Sequence, residues 1–228
     1  TTSATGSPQR STEAPADMTI ISQADIHRSG AKDLPTILSR VAGVDVLNFS
    51  AGQSDVGIRG YNQARSPRLL VLVNGRQVYL DHFGYTDWTA LPVQLSEIRQ
   101  IEVVRGPNSA IFGFNAVSGV VNIITYNPKF DKVGGLEVYA GNGTTAGVSV
   151  VETFNIGDKV SVRISGGGEH QDEWARSNNL VTSAMIHNPS AVRANLDAVA
   201  QLTPKTELRV EGSWSNLAGS QVISTFAY

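Results

Sequence analysis

The side chains able to do chemistry are few and scattered along this chain. No Gly-x-Ser-x-Gly or His-Glu-x-x-His motif occurs in the 228 residues. Gly141, Gly143 and Gly147 miss the spacing of a phosphate-binding loop by one position, so we interpret them as a hairpin tip. Asp81 beside His82 could form half of an acid-base pair, but no nucleophile motif accompanies it. The sequence therefore predicts no enzyme activity, no cofactor and no metal site, and its histidines lie far apart: His27, His82, His170 and His187.

Two arginines differ from the rest because glycine follows each of them. Arg59 lies in GIRGY and Arg105 in VVRGP, each at the predicted end of a strand, where its guanidinium can point away from the sheet. A guanidinium in that position can form paired hydrogen bonds with a carboxylate. The alternative interpretation is that both are solvated surface arginines.

Loops rich in aromatic and polar side chains are the candidate ligand contacts. The segment DHFGYTDW has the composition that binds planar or ring-bearing ligands, although Trp88 at its end is expected to pack in a core. Loops at 48–54, 61–67 and 81–88 should meet at one end of the predicted sheet. From the last two we take seven candidates: Tyr61, Asn62, Gln63, Arg65, His82, Phe83 and Tyr85. The trio His170, Asp172 and Glu173 could bind a cation, but a solvated loop explains it equally well.

Short strands should position these loops in the first half of the chain. Residues 98–104 and 119–125 are rich in β-branched residues and predict two strands joined by a tight loop. Residues 69–73 and 76–80 flank Asn74-Gly75, the dipeptide that supplies both positive φ angles of a type I′ hairpin. Together they predict a small mixed sheet of about four strands.

Helix signals lie on either side of these strands. Ser22 with Asp25 forms a capping-box pattern for a short helix ending at Gly30, after a strand at 18–21. Asp33 should cap a second helix that stops near Gly43. Residues 92–98 favour a third helix. The first half is therefore predicted to be an α+β domain with short helices.

After Pro128 the pattern changes to long alternating strands. In 159–166, Val160, Val162 and Ile164 share one face while Arg163 and Ser165 share the other. Residues 192–202 alternate in the same way, with Arg193, Asn195, Asp197 and Gln201 on the polar face. The ranges 135–142, 147–156 and 206–215 behave similarly, although Glu152 interrupts an apolar face. This predicts five antiparallel strands, or six if 221–228 also forms one.

Strand length and loop asymmetry favour a transmembrane β-barrel over a soluble β-sandwich. The strands cluster near the ~10 residues that cross a bilayer at a tilt. Short turns at 157–158 and 203–206 should lie on one side, and the long segment 169–190 on the other, as in outer-membrane barrels. The second half is therefore predicted to contain the first five or six antiparallel strands of a transmembrane barrel.

The amino-acid composition argues against several other classes of protein. The net charge is only −2, so there is no basic field to attract nucleic acid. There are no cysteines, which excludes disulfides and thiolate metal sites. Residues 1–17 contain mostly Thr, Ser, Ala and Pro and predict a flexible tail.

Five ordered motifs carry a resemblance to a known family. They are MTIISQADIHRSGAKDLPTILSRVAGVDV, VGIRGYN, SPRLLVLVNGRQVYL, DWTALPVQLSEIRQIEVVRGP and SGVVNIIT, between residues 18 and 130. In this order they resemble the amino-terminal part of a TonB-dependent outer-membrane receptor. The resemblance implies a tail at 1–17, a plug domain at 18–130 and the truncated start of a barrel at 131–228. The last of these strands would have an unpaired edge, which is an aggregation hazard. We therefore expect the chain to be a truncated gene product rather than a working transporter.

The resemblance also implies a function and partners. Such a receptor binds a scarce nutrient, such as a ferric siderophore or cobalamin, and imports it with energy from TonB and its inner-membrane energising complex. We would then expect a small-molecule or metal-chelate ligand, contact with outer-membrane lipid, no nucleic acid, and location in the outer membrane of a Gram-negative bacterium. The alternative is a soluble periplasmic ligand-binding or signalling module built on the plug fold.

The family pattern assigns roles to two regions of the plug. It implies that Arg59 and Arg105 bridge to glutamates on the inner barrel wall and anchor the plug, with partners on strands that this chain does not contain. It also places a TonB-binding motif before the plug, where it would pair as an added strand. Residues 1–5 lie where that motif would end, but the sequence contains no convincing copy, and a plain linker fits better.

Overall fold

The computed structural model describes residues 17–60, 68–78, 86–113, 115–174 and 186–220. The chain divides into two compact units. The first unit consists of Thr1–Leu47, Ser54–Trp88 and Ile98–Thr125, and the second of Asn48–Gln53, Thr89–Glu97 and Tyr126–Tyr228. Among the described residues, no helix has the length and apolar character needed to cross a membrane.

The first half of the chain folds into short strands and short helices. In order they are β1 (Asp17–Ser22), α1 (Gln23–Ser29), α2 (Leu34–Leu38), β2 (Val44–Ser50), β3 (Gln53–Ile58), β4 (Leu69–Val73), β5 (Arg76–Gln77), β6 (Ile98–Arg105), α3 (Ser109–Phe112) and β7 (Gly119–Thr125). The main sheet has the order β1-β6-β7-β4-β5, with β4 parallel to β7 and the other pairs antiparallel. A separate two-stranded sheet pairs β2 with β3. The mixed sheet with short helices was predicted; it has five strands rather than about four.

Local sequence patterns predicted several elements correctly. The Ser22 side chain caps α1 in a full capping box with Asp25, and the helix ends at Gly30 with φ of 67°. Asp33 caps α2, which is shorter than predicted and ends at Leu38. Asn74 and Gly75 have φ of 52° and 81°, as the predicted hairpin requires.

The predicted helix at 92–98 is wrong. The structure has only a single 3-10 turn, Leu95–Glu97, directly before β6. Its main chain bonds locally, with the Val93 amide donating to the Leu91 carbonyl and the Glu97 side chain accepting from the Gln94 amide. The deciding contacts are tertiary, because the Glu97 carboxylate also accepts hydrogen bonds from Ser165 and Asn195, which lie far along the chain.

The first unit is built around the apolar faces of β4, β6 and β7. Side chains along these strands are almost completely buried: Leu70, Val71, Val103, Val104, Val120, Val121 and Ile123. Gly119 begins β7 where the strand passes very close to its neighbours. A Cβ at this position would lie 2.5 Å from the Val104 carbonyl oxygen and 2.6 Å from Ile58 Cδ1. Only glycine fits here without displacement of the backbone.

The second unit is an antiparallel meander of five strands. They are β8 (Gly134–Ala140), β9 (Ala146–Ile156), β10 (Val160–His170), β11 (Ser190–Thr203) and β12 (Thr206–Ala218). The sheet order is β12-β11-β10-β9-β8, so β8 and β12 are its two edges. Five of the predicted strands are confirmed, and the sixth, 221–228, lies outside the described residues.

Burial on this sheet is the reverse of that in a water-soluble protein. The face we call outer carries a row of exposed apolar side chains, among them Ile164 at 45% and Leu196 at 43% of full exposure. The inner face carries charged side chains that are covered, with Arg163 at 4% and Asp197 at 2%. Glu152 lies on the outer face opposite Ile164, so it does interrupt the apolar row. Apolar-out and polar-in alternation is typical of barrel strands.

Replacing Gly119 with alanine tests the close approach of β7 to β6. We expect Gly119→Ala to lower the free energy of unfolding of the first unit by about 1–3 kcal/mol, because the new methyl group overlaps backbone. The measurement is urea unfolding followed by fluorescence of Trp88, with the other two tryptophans changed to phenylalanine. Gly135→Ala, where a Cβ would meet nothing within 4 Å, is the control. Equal midpoints for the two variants would contradict the packing described.

Candidate functional site

The seven predicted ligand contacts lie outside the described residues. Tyr61, Asn62, Gln63, Arg65, His82, Phe83 and Tyr85 all fall in 61–67 or 79–85. Their role in ligand binding stays a prediction. Among the charged groups that the structure describes, two clusters contain the candidate site residues or bury their charges, one in each unit.

The first cluster joins both glycine-flanked arginines to Asp17. Arg105 donates from Nη2 to Asp17 Oδ1 at 2.5 Å and from Nε to Oδ2 at 3.0 Å, a two-pronged ion pair. Arg59 donates from Nη2 to Asp17 Oδ2 at 2.9 Å. Arg105 Nη1 also reaches Thr19 Oγ1 at 2.7 Å. Asp17 begins β1, so this cluster fastens the first strand of the sheet; anchoring of Arg59 and Arg105 to a barrel wall stays a prediction.

The backbone at Arg59 shows that its position is constrained. Arg59 has φ of 56°, and Gly60 follows with φ of 76°. A positive φ is uncommon for a residue with a side chain and costs free energy. The Arg59 amide donates to the Gly43 carbonyl and the Gly60 amide to Asp45, which holds the turn in place.

The ion pairs shift the acid-base equilibria of the cluster. The hydrogen bond from Arg105 holds the pKa of Asp17 below its ordinary value of 3.8, and Arg59 lowers it further. In return, Asp17 raises the pKa of Arg105. Asp17 is therefore charged throughout the neutral pH range.

The second cluster is a buried charge network around Glu97. The Glu97 carboxylate accepts from Ser165 Oγ at 2.7 Å, from Asn195 Nδ2 at 2.9 Å and from the Gln94 amide at 2.8 Å. Arg163 Nε lies 3.4 Å from Glu97 Oε2, and Arg163 Nη2 lies 3.5 Å from Asp197. Burial raises the pKa of the Glu97 carboxyl, and the Arg163 charge offsets part of that shift. Charges of alternating sign thus continue across β10 and β11.

Arg193 forms a neighbouring contact on the same inner face. Its Nη2 donates to the Thr89 carbonyl at 2.6 Å and to Glu169 Oε1 at 2.7 Å. The Arg193 side chain is 9% exposed, so both acceptors serve a nearly buried cation. Arg163 and Arg193 together therefore bind opposite ends of the segment Thr89–Glu97.

The predicted cation trio does not form a metal site. Within the described ranges, no group of three or more His, Asp or Glu side chains could hold a metal ion. Asp172 instead accepts from Asn188 Nδ2 and Thr144 Oγ1, and Glu173 accepts from the Ala51 amide. Asp172 and Glu173 are thus half-buried and hydrogen-bonded within the protein, which differs from the solvated loop of the alternative interpretation.

Sequence reasoning missed Glu97, and it found Arg163, Arg193 and Asp197 only as members of a polar face. The alternation placed the last three on one side of β10 and β11, which was a usable signal for a buried charge cluster. Nothing local to Glu97 indicated burial, because its partners follow 68 and 98 positions later.

Comparisons with known proteins agree with this fold. Residues 10–120 match the family model of the TonB-dependent Receptor Plug Domain. The chain resembles FpvA of Pseudomonas aeruginosa, solved with bound pyoverdines, with TM-score 0.76 and 15% identity, covering 95% of this chain and 27% of that one. It resembles the siderophore receptor PirA of the same organism, with TM-score 0.65 and 26% identity, covering 91% and 36%. The ferric yersiniabactin uptake receptor FyuA of Yersinia pestis gives TM-score 0.71 and 17% identity, covering 93% and 32%.

These matches define the class of protein. The chain carries a plug domain of the TonB-dependent receptors, followed by antiparallel strands that match the barrel of such receptors. This is a family of receptors and transporters, not of enzymes. The chain spans between 27% and 36% of the length of the three solved receptors, and its strands do not close into a barrel among the described residues.

Removing the Asp17 charge tests the first cluster. We expect Asp17→Asn to increase hydrogen exchange at the β1 amides roughly two- to fivefold, as loss of a surface ion pair allows. Asp33→Asn is the control, because it removes the same charge while asparagine caps a helix as well as aspartate does. Equal exchange in both variants would contradict the conclusion that Asp17 holds β1 in the sheet.

The same exchange measurement should depend on pH. Because the folded-state pKa of Asp17 is lowered, its stabilisation is complete above the ordinary value of 3.8 and is lost as the pH falls through the lowered one. The difference between the parent chain and Asp17→Asn should therefore disappear in strong acid. A difference that persists there would mean that the Asp17 charge is not its cause.

Proposed function

We propose that this chain belongs to a TonB-dependent transporter that captures a scarce nutrient at the surface of a Gram-negative bacterium and imports it across the outer membrane. The plug family match and the likeness to siderophore receptors support this proposal. A ferric siderophore is the ligand class we favour, since PirA, the 26% identical receptor, is a siderophore receptor. TonB and its inner-membrane complex would supply the energy.

The burial pattern of the second unit is the single observation that carries the membrane assignment. A sheet whose apolar face is open and whose charged face is covered would aggregate in water, whereas hydrocarbon solvates that apolar face. We therefore place the outer face of β8–β12 against outer-membrane lipid. A soluble periplasmic module would need a partner of its own to cover this face.

The proposed work is divided among three parts of the chain. The tail predicted at 1–17 leads towards TonB, although its last residue, Asp17, already belongs to β1. Residues 18–130 form the plug, and 131–228 form the start of the barrel. The candidate ligand contacts remain Tyr61, Asn62, Gln63, Arg65, His82, Phe83 and Tyr85, on loops we expect to face the entering ligand. Arg59 and Arg105 remain the proposed anchors to glutamates elsewhere on a complete wall.

Uptake by cells tests the transport function. We expect deletion of the gene in its own host to abolish growth on at least one purified ferric siderophore under iron limitation, and the restored gene to recover it. A second strain lacking TonB should show the same defect. Unchanged growth and uptake with every siderophore, haem and cobalamin tested would overturn the proposal.

A charge on the outer face tests the membrane assignment separately. Leu196→Arg should lower the folding stability in lipid vesicles by about 2–4 kcal/mol, the cost of an arginine facing lipid near mid-bilayer. Leu196 pairs with Ile164 and Gly212, so no directly opposed carboxylate offsets the new charge. Folding is followed by urea titration of the chain with vesicles. Leu196→Ile is the matched control and should be nearly neutral. If Leu196→Arg folds as well as the control, or the parent chain is a monodisperse monomer without detergent, the soluble alternative is favoured.

A further inference from the structure

The segment Thr89–Glu97 lies within the part of the chain that matches the plug family, yet it clusters with the strands of the second unit. It is directly followed by β6, which belongs to the first unit. Its contacts therefore show how plug sequence can be held by wall strands. The contacts occur at both ends of the segment and in its middle.

At the start of the segment the contact is a backbone carbonyl bound by a nearly buried arginine. Arg193 Nη2 donates to the Thr89 carbonyl at 2.6 Å. Glu169 balances the arginine charge from the same inner face at 2.7 Å. A hydrogen bond from a charged donor is stronger than one between neutral groups, and burial limits competition from water.

At the end of the segment the contact is ionic and fully enclosed. Glu97 is 1% exposed, and its carboxylate is held by Ser165, Asn195 and Arg163. Arg163 also donates to the Tyr126 carbonyl, and the Tyr126 amide donates to the Glu97 carbonyl at 3.0 Å. One wall arginine thus binds the residue before β6 and the residue after β7, which lie side by side because Ile98 pairs with Thr125.

In the middle of the segment the wall is shaped to admit Gln94. A Cβ at Gly167 would lie 3.0 Å from Gln94 Oε1 and 2.6 Å from the Val148 carbonyl oxygen. Gly166 and Gly168 flank it on β10, so side chains are absent along this part of the strand. The close approach therefore depends on glycine in the wall.

We propose that Arg163 and Arg193 are plug-positioning residues of the barrel wall, which hold Thr89–Glu97 through the Glu97 carboxylate and the Thr89 carbonyl. The charges are arranged oppositely to those of the arginine anchor: here the wall supplies the cations and the plug supplies the acceptors. Both arginines lie on strands that this chain contains, Arg163 on β10 and Arg193 on β11. The inference rests on the proposed transport function, to which it adds two wall residues that hold the segment Thr89–Glu97 in place.

Hydrogen exchange on the 228-residue chain in detergent tests this role. Glu97→Gln keeps the size of the side chain but leaves the Arg163 charge with less compensation, which is costly in a buried site. We expect amide exchange in 89–97 to accelerate by about tenfold or more while exchange in β4 stays unchanged. Glu207→Gln, which removes a partly exposed carboxylate bound to Lys129, is the matched control. Unchanged exchange in 89–97, or acceleration spread evenly over the chain, would overturn the proposal.

A double variant separates a specific contact from general destabilisation. If Glu97 and Arg163 act as a pair, Glu97→Gln with Arg163→Gln should accelerate exchange in 89–97 by less than the product of the two single effects. Strictly multiplicative effects would show that the two side chains act independently and would refute the pairing. These measurements need no transport, so the anchor can fail while uptake is confirmed, and uptake can fail while the anchor is confirmed.

Discussion

The burial of charge on the inner face of β10 and β11 is the constraint on which the rest of the structure depends. Arg163 and Asp197 are almost fully covered, whereas Ile164 on the opposite face is open. Removing an arginine from water costs several kcal/mol unless carboxylates and carbonyls surround it. Asp197 faces Arg163 from the wall at 3.5 Å, and Glu97 supplies a second carboxylate at 3.4 Å. This need for compensation explains why Thr89–Glu97 belongs with the wall strands rather than with β6.

The two charge clusters differ in cost because they differ in exposure. Asp17 is 49% exposed, so water and salt screen its pairs with Arg59 and Arg105, and the strand it fastens is an edge of the sheet. Glu97 is enclosed, and separating it from Arg163 would leave charge in a dry site. A pull applied through the tail would reach Asp17 first. In the proposed transport cycle, β1 would therefore separate from β6 at lower cost than Glu97 would leave the wall.

Sequence reasoning succeeded where the information is local. The Ser22 capping box, the Asn74-Gly75 turn and the alternation in β10 and β11 each depend on residues a few positions apart, and all three are present. It failed at 92–98, where a helix was predicted and the chain forms only a 3-10 turn. There the deciding partners, Ser165 and Asn195, are distant in sequence, and no local pattern encodes them. The ligand contacts at 61–65 and 82–85 remain predictions because they lie outside the described residues.

The Asp17 cluster also bears on which arginine is better placed to reach a wall glutamate. An arginine has five N–H donors. Arg105 directs its donors to Asp17, Thr19 and the Ala42 carbonyl, and its side chain is largely covered. Arg59 gives one bond to Asp17, and more than half of its side chain is open to solvent. Arg59 can therefore donate to a second carboxylate while it keeps its bond to Asp17, whereas Arg105 would have to exchange one partner for another. The two arginines that the family pattern treats alike are thus expected to behave differently when β1 moves.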